Sequence, residues 1–177
     1  MSFSREADFE QALVNLLFTK GWEKEVLKNY DEEMLIKNWS NILFENNREV
    51  DKLNGIPLTR SEMQQILDQI TNLKTPLNLN GFINGKSVMI TRDNEEDKLH
   101  FGKQVSLKIY DRKEIAAGQS RYQIVEQPLF KTKAIMPGAR GDLMLLINGM
   151  PLFHIELKKS GVPVSQASIQ IEKYANY

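Results

Sequence analysis

Apolar positions recur at helical spacing throughout the first half of the chain. The apolar stripes of three predicted helices are Phe9, Leu13, Leu16 and Leu17; Leu35, Trp39, Ile42 and Leu43; and Met63, Ile66, Leu67 and Ile70. Gly21 is expected to end the first helix and Pro76 the third, because neither residue favours a helix interior. The second helix is predicted near residues 31–45. Thr59, with Glu62 three residues later, forms a capping-box pattern that predicts the start of the third helix.

The second half changes to short runs that are rich in β-branched and aromatic residues. The predicted strands are Lys86–Thr91, Gln104–Tyr110, Tyr122–Gln127, Leu143–Ile147 and Leu152–Lys158. Asn148-Gly149 predicts a hairpin turn between the last two strands. Arg92–Lys98 is interpreted as a loop, and Ser165 is expected to cap a last helix through Tyr177. This order predicts an α/β or α+β fold, with a central mixed sheet flanked by helices.

Composition sets broad limits on the class of protein. The 177 residues are 41% hydrophobic and 26% charged, as in soluble globular domains. We therefore expect a single domain over 1–177, with a helical part over about 1–75 and a sheet-rich part over about 80–177. The chain has no long uncharged apolar run and no signal-peptide pattern, so no membrane partner is expected. The absence of Cys excludes disulfides and cysteine zinc sites, and cytoplasmic localisation is expected.

The formal charge of zero hides a difference between the two halves. Residues 1–68 hold 8 Lys and Arg against 13 Asp and Glu, whereas residues 69–177 hold 15 against 10. A basic second half fits a polyanionic partner, although solvated surface charge explains the same count.

Two carboxylates and a lysine stand inside otherwise apolar segments near the predicted hairpin. Asp142 precedes its first strand, and Glu156 and Lys158 lie on its second strand. Ionisable groups in apolar segments are usually paired or bound to metal, and metal-dependent nucleases need such a set. The spacing alone is no more frequent than chance. Glu96-Asp97-Lys98 has the same spacing in a polar run, which we interpret as a solvated loop.

The register of the hairpin decides whether these groups meet. A regular two-residue turn would place Asp142 opposite Ile155, on the wrong face for Glu156. A longer loop, a bulge or a bend at Gly141 would bring Asp142 opposite Glu156, and we predict one of these irregularities. The carboxylates of Asp142 and Glu156, with a backbone carbonyl near residue 157, would then bind Mg²⁺. Lys158 would position the attacking water or stabilise negative charge in the transition state. By the same alternation His154 lies on the side of Glu156, as a strand residue or a phosphate contact, since Mg²⁺ prefers oxygen.

These residues resemble the PD-(D/E)xK nuclease family. Gln170 and Tyr174 match the Gln-x-x-x-Tyr pattern of its exonuclease and restriction branches and share a helix face. Within the family, the chain is most similar to the N-terminal nuclease domain of type I restriction enzyme R subunits. The resembling segments are Phe9–Trp22, Val125–Gln127, Arg140–Leu152 and Glu156–Lys158. Gly141 stands where the motif usually has Pro.

The resemblance implies a Mg²⁺-dependent endonuclease that acts on double-stranded DNA, with methyltransferase and specificity subunits as partners. It implies a role near the metal for Glu10, which could equally be a solvated helix charge. ATP would be used only by a translocase farther along the chain, so this sequence is expected to be an N-terminal piece. DNA phosphates would be contacted by basic residues, which could also be solubility charges: Lys131, Lys133, Arg140 and Lys159.

Two other functions remain open. One is a repair or junction nuclease with the same fold. The other is a DNA-binding or assembly module that keeps the fold without cutting.

Overall fold

The computed structural model describes residues 6–72, 87–110, 120–129 and 142–157. Within these residues the elements are α1 Glu6–Thr19, β1 Leu27–Lys28, α2 Glu32–Asn46, α3 Arg60–Thr71, β2 Ser87–Thr91, β3 Gln104–Lys108, β4 Tyr122–Glu126, β5 Leu143–Ile147 and β6 Met150–Ile155. The chain forms two compact units. Unit 1 comprises the residues up to Leu35 and those from Arg121 onward, and unit 2 comprises Ile36–Ser120.

Unit 1 contains a four-stranded mixed sheet in the order β1-β4-β5-β6. β1 is parallel to β4, whereas β4, β5 and β6 are successively antiparallel. The predicted mixed sheet is therefore confirmed. β1 itself was not predicted, because a strand of two residues carries no periodicity that a sequence could show.

Both faces of this sheet are covered by apolar side chains. One cluster joins the sheet to α1 through Val14, Ile124, Leu143, Leu145 and Leu157. The other joins it to the start of α2 through Leu35, Val125, Met144 and Leu146. Burial on both faces explains why β5 is a continuous apolar run rather than an alternating one.

The helical stripe predicted for α1 is only partly correct. Val14 on α1 is buried, with Leu13 and Leu17 packed beside it. Leu16 is 53% exposed, so the true stripe is rotated from the predicted one.

Unit 2 contains α3 and an antiparallel pair of strands, β2 and β3. Thr59 caps α3, and Glu62 completes the predicted capping box. Of the predicted stripe of α2, Trp39, Ile42 and Leu43 are buried in unit 2, whereas Leu35 belongs to the core of unit 1.

The loop after β2 differs from its prediction. Glu96 and Lys98 are exposed, but Asp97 between them is fully buried. Asp97 is buried because Arg92, itself fully buried, donates to it at 3.0 Å and donates to Glu62 at 2.6 Å. The interpretation of this segment as a solvated loop is therefore wrong for Asp97.

Several strand ends differ by a few residues from the sequence pattern. β3 ends at Lys108 instead of Tyr110, and β6 runs from Met150 to Ile155. The predicted helix from Ser165 lies outside the described residues. Unit 1 draws on both the predicted helical and sheet-rich parts, and the single-domain expectation stays a prediction. In the described part of the chain, no helix has the length and apolar character needed to cross a membrane.

Candidate active site

The hairpin that carries the candidate site closes with the predicted two-residue turn. Asn148 has φ 51° and Gly149 has φ 82°, the positive values that this kind of hairpin turn requires. The turn is fixed to the neighbouring strand by two backbone contacts of Arg121. Its N–H donates to Asn148 Oδ1 at 2.9 Å, and its carbonyl accepts from the Asn148 N–H at 2.9 Å.

A bulge two pairs beyond this turn changes the register. Next to the turn, Ile147 pairs with Met150 and Leu146 with Pro151, but Leu145 pairs with Phe153. Leu152 is thus the extra residue on β6. The predicted irregularity is confirmed, although it lies in the strand and the loop keeps two residues. Continuing the register from the Leu143–Ile155 pair by one position places Asp142 opposite Glu156.

Asp142 is held by backbone groups from both neighbouring strands. The N–H of Leu157 donates to Asp142 Oδ2, and the N–H of Gln127 donates to the Asp142 carbonyl at 2.9 Å. A backbone donor to a carboxylate makes a strong hydrogen bond and orients the side chain. Asp142 is therefore positioned by the residue that follows β4 on one side and by the segment that follows β6 on the other.

The strand directions bring a row of charged residues to one end of the sheet. Lys28 and Glu126 are register partners at the ends of the parallel strands β1 and β4. Asp142 precedes β5, which is antiparallel to β4, and Glu156 follows β6. Lys28, Glu126, Asp142 and Glu156 thus stand at the same end of four adjacent strands. Lys28 Nζ lies 2.8 Å from Glu126 Oε2.

Glu10 on α1 interacts electrostatically with the charged groups at this end of the sheet. Burial, followed by repulsion from Asp142 and Glu126, raises the pKa of Glu10 above its ordinary value, and Lys28 opposes the shift. Such repulsion requires the carboxylates to be near one another. Glu10 therefore lies within electrostatic range of Asp142, and its role near a metal stays a prediction. A bound cation would relieve the repulsion.

His154 shares this electrostatic environment. Burial lowers the pKa of His154, against the opposing attraction of Glu156 and Asp142. The imidazole is therefore neutral at physiological pH. Its Nε2 atom is buried and has no hydrogen-bond partner among the described residues.

The donor set can be compared with what Mg²⁺ needs. Among the described residues, no three His, Asp or Glu side chains are grouped closely enough to enclose a metal ion. Mg²⁺ is commonly bound through one or two carboxylates, with water completing its shell. Asp142 and Glu156 at facing positions supply that number of carboxylates, and their oxygens suit this ion. The residues present fit Mg²⁺ held by two carboxylates.

The remaining predicted site residues lie outside the described residues, and their placement stays a prediction. They are Lys158, Gln170, Tyr174, Lys131, Lys133, Arg140 and Lys159.

Sequence reasoning missed the ion pair between Lys28 and Glu126. Glu126 falls within the Val125–Gln127 segment that carries part of the resemblance, which was the one available signal. Lys28 had none, because its place depends on the parallel pairing of β1 with a strand far along the chain.

Comparison with known proteins identifies the family. The family described as "Type I restriction enzyme R protein N terminus" matches residues 3–177. The chain belongs to this family. The resemblance predicted from the sequence is thereby confirmed.

Three relatives show how much of a longer protein the chain represents. It is 33% identical over 174 residues to the "Type I restriction enzyme SsaAORF53P endonuclease subunit" of Staphylococcus saprophyticus, covering 98% of this chain and 17% of the relative. The "Type I restriction enzyme SauCOLORF180P endonuclease subunit" of Staphylococcus aureus is 30% identical over 178 residues, covering 98% and 17%. The "Type I restriction enzyme EcoprrI endonuclease subunit" of Escherichia coli is 28% identical over 179 residues, covering 98% and 50%. The chain thus spans about 17% of the length of both staphylococcal relatives.

Proposed function

We propose that this chain is the Mg²⁺-dependent nuclease domain of a type I restriction enzyme R subunit and hydrolyses phosphodiester bonds of double-stranded DNA. The observation that carries the proposal is the bulge at Leu152. It places Asp142 and Glu156 at facing positions in a hairpin where a regular ladder would separate them. The names of the relatives, which are endonuclease subunits, support the same reaction.

In this proposal each residue of the site has a distinct task. Asp142 and Glu156 hold the metal, and the Leu157 N–H keeps the Asp142 carboxylate oriented. When bound, Mg²⁺ supplies Lewis-acid polarisation of the phosphodiester and makes water easier to deprotonate. Lys158 orients the attacking water or stabilises charge that develops on the phosphate. Glu10 adds negative charge that favours cation binding, and Gln170 and Tyr174, which the sequence predicts on one face of a following helix, would complete the site.

The proposal also extends to the longer protein. Sequence recognition would belong to the specificity subunit and methylation to the methyltransferase subunit. ATP would drive a translocase in the part of the R subunit beyond this chain. Lys131, Lys133, Arg140 and Lys159 would contact DNA phosphates, and the complex would act in the cytoplasm.

The test uses the full-length R subunit assembled with its partner subunits. Asp142→Ala, Glu156→Ala and Lys158→Ala should each reduce Mg²⁺-dependent DNA cleavage by about 10² or more. Glu96→Ala and Lys98→Ala are matched controls, because this pair has the same spacing but lies exposed in unit 2. They should leave cleavage unchanged.

A second measurement separates metal binding from chemistry. Mg²⁺ should raise the melting temperature of the wild-type chain but not that of Asp142→Ala or Glu156→Ala, because a ligand stabilises only a state that binds it. Lys158→Ala should keep the Mg²⁺-dependent rise. Cleavage that persists in both Glu156→Ala and Lys158→Ala would refute the assignment of this site.

A further inference from the structure

Lys28 stands at the end of the charged row defined above, two strands from Asp142. Its strand, β1, pairs with β4, and β4 pairs with β5. Two interstrand spacings amount to about 10 Å. The catalytic proposal uses Glu10, Asp142 and Glu156 but assigns no task to this lysine.

The side chain of Lys28 is exposed to solvent and is also held in place by an ion pair. Its side chain is 65% exposed, whereas that of its partner Glu126 is only 18% exposed. The parallel pairing of β1 with β4 and the 2.8 Å ion pair hold the ammonium against Glu126 at this end of the sheet. It also lies close enough to Glu10 to oppose the shift in that residue's pKa. An exposed ammonium in this position is available to an anion that approaches the same end of the sheet.

We propose that Lys28 binds a backbone phosphate of DNA, and this inference rests on the proposed function. The phosphate belongs to the strand whose neighbouring phosphodiester lies at Asp142 and Glu156. Glu126 is the partner of the ammonium while DNA is absent and competes with phosphate for it. Phosphate then replaces the Glu126 carboxylate as the partner of Lys28. A lysine is suited to this role because its ammonium acts as a point charge toward phosphate without a fixed geometry.

The test measures DNA affinity of the full-length R subunit as a function of salt, in EDTA so that metal-dependent cleavage does not occur. Log affinity falls as log salt rises, and loss of one phosphate contact makes this slope shallower by about 0.9. For Lys28→Ala, the loss of affinity between about 50 and 200 mM salt should therefore be roughly 3.5-fold smaller than for wild type. Lys28→Arg should restore the wild-type slope. Glu126→Gln should raise affinity, because it removes a competing carboxylate.

The chain offers a matched control in unit 2. Lys52 pairs with Glu49 at 3.4 Å, so Lys52→Ala also removes the lysine of a Lys–Glu pair. Lys52→Ala and Glu49→Gln should leave the slope and the affinity unchanged. A Lys28→Ala variant that melts at lower temperature with an unchanged salt slope would overturn the proposal, since the lysine would then serve only its ion pair.

The outcomes separate this inference from the function on which it rests. If Glu156→Ala abolishes cleavage and Lys28→Ala leaves the slope unchanged, the nuclease assignment holds and the role of Lys28 is wrong. If Lys28→Ala lowers the slope while cleavage persists in Glu156→Ala and Lys158→Ala, the phosphate contact holds and the nuclease assignment fails.

Discussion

Replacing Arg92 tests how much the buried ion cluster of unit 2 contributes to stability. Its side chain is fully buried and donates to Glu62 at 2.6 Å, to Asp97 at 3.0 Å and to the Ile56 carbonyl at 3.1 Å. Arg92→Met keeps much of the side-chain volume but removes the charge and these hydrogen bonds. Two buried carboxylates would then lose their cation.

The expected loss of unfolding free energy depends on the hydrogen bonds that Glu62 and Asp97 keep in the variant. Removing one partner of a buried ion pair typically costs about 3–5 kcal/mol of unfolding free energy. After Arg92→Met, Glu62 still accepts from the Asp93 N–H at 2.8 Å, and Asp97 still accepts from Asn54 Nδ2 at 3.2 Å. We therefore expect the lower end of the range, about 3 kcal/mol.

Urea unfolding followed by tryptophan fluorescence can measure this change within unit 2. The chain has 2 Trp, and Trp22→Phe leaves Trp39, buried in unit 2, as the reporter. Arg48→Met is the control, because Arg48 pairs with Glu45 at 3.4 Å while both side chains are more than half exposed. Exposed pairs contribute about 0–1 kcal/mol, so this control should hardly shift the midpoint.

Two results would refute the reasoning about this cluster. One is an Arg92→Met cost no larger than that of Arg48→Met. The other is a triple variant with Arg92→Met, Glu62→Gln and Asp97→Asn that is no more stable than Arg92→Met alone, since neutralising the stranded carboxylates should recover part of the loss.

Three further predictions concern pH and the hairpin. Burial alone would raise the pKa of Asp97, but hydrogen bonds, foremost from Arg92, lower it overall. The stability that ionised Asp97 contributes is therefore present above its unfolded pKa and is lost as pH falls through its lowered folded pKa. The cost of Asp97→Asn in urea unfolding should shrink as the pH falls below the ordinary pKa of an aspartate, and a cost that stays constant would contradict this. Because the pKa of Glu10 is raised, its ionised form destabilises the folded chain, and Glu10→Gln should raise the melting temperature at neutral pH. This gain should vanish in acid, where wild-type Glu10 is itself protonated. A melting temperature of Glu10→Gln below that of wild type at neutral pH would contradict this prediction. Gly149→Ala should cost about 1 kcal/mol in urea unfolding because φ is 82°, and an unchanged midpoint would mean that the turn tolerates a side chain.

Features that depend on neighbours in sequence were predictable. The capping box of Thr59 and Glu62 involves a hydroxyl and a carboxylate within one helical turn. Asn148-Gly149 is a turn because both residues tolerate positive φ better than other residue types. The bulge was predicted as a condition for bringing Asp142 and Glu156 together, but its position at Leu152 was not.

Features that depend on distant segments were missed. Asp97 was interpreted as solvated because its neighbours are polar, yet it pairs with the buried Arg92, which in turn pairs with Glu62 from a distant part of unit 2. The pair of Lys28 and Glu126 needs a parallel strand contact between residues far apart in the chain. Long-range pairings of this kind leave no periodic trace in a single sequence.

The sequence by itself determined the residue types of the candidate site, the hairpin turn and the family resemblance, because each is a local pattern of side chains. Only the tertiary structure decided that Asp142 faces Glu156, since one extra residue in β6 moves every later pair by one position. It also decided that Glu10 and Lys28 lie at the same end of the sheet as these two carboxylates, because packing of α1 and pairing of β1 bring distant segments there.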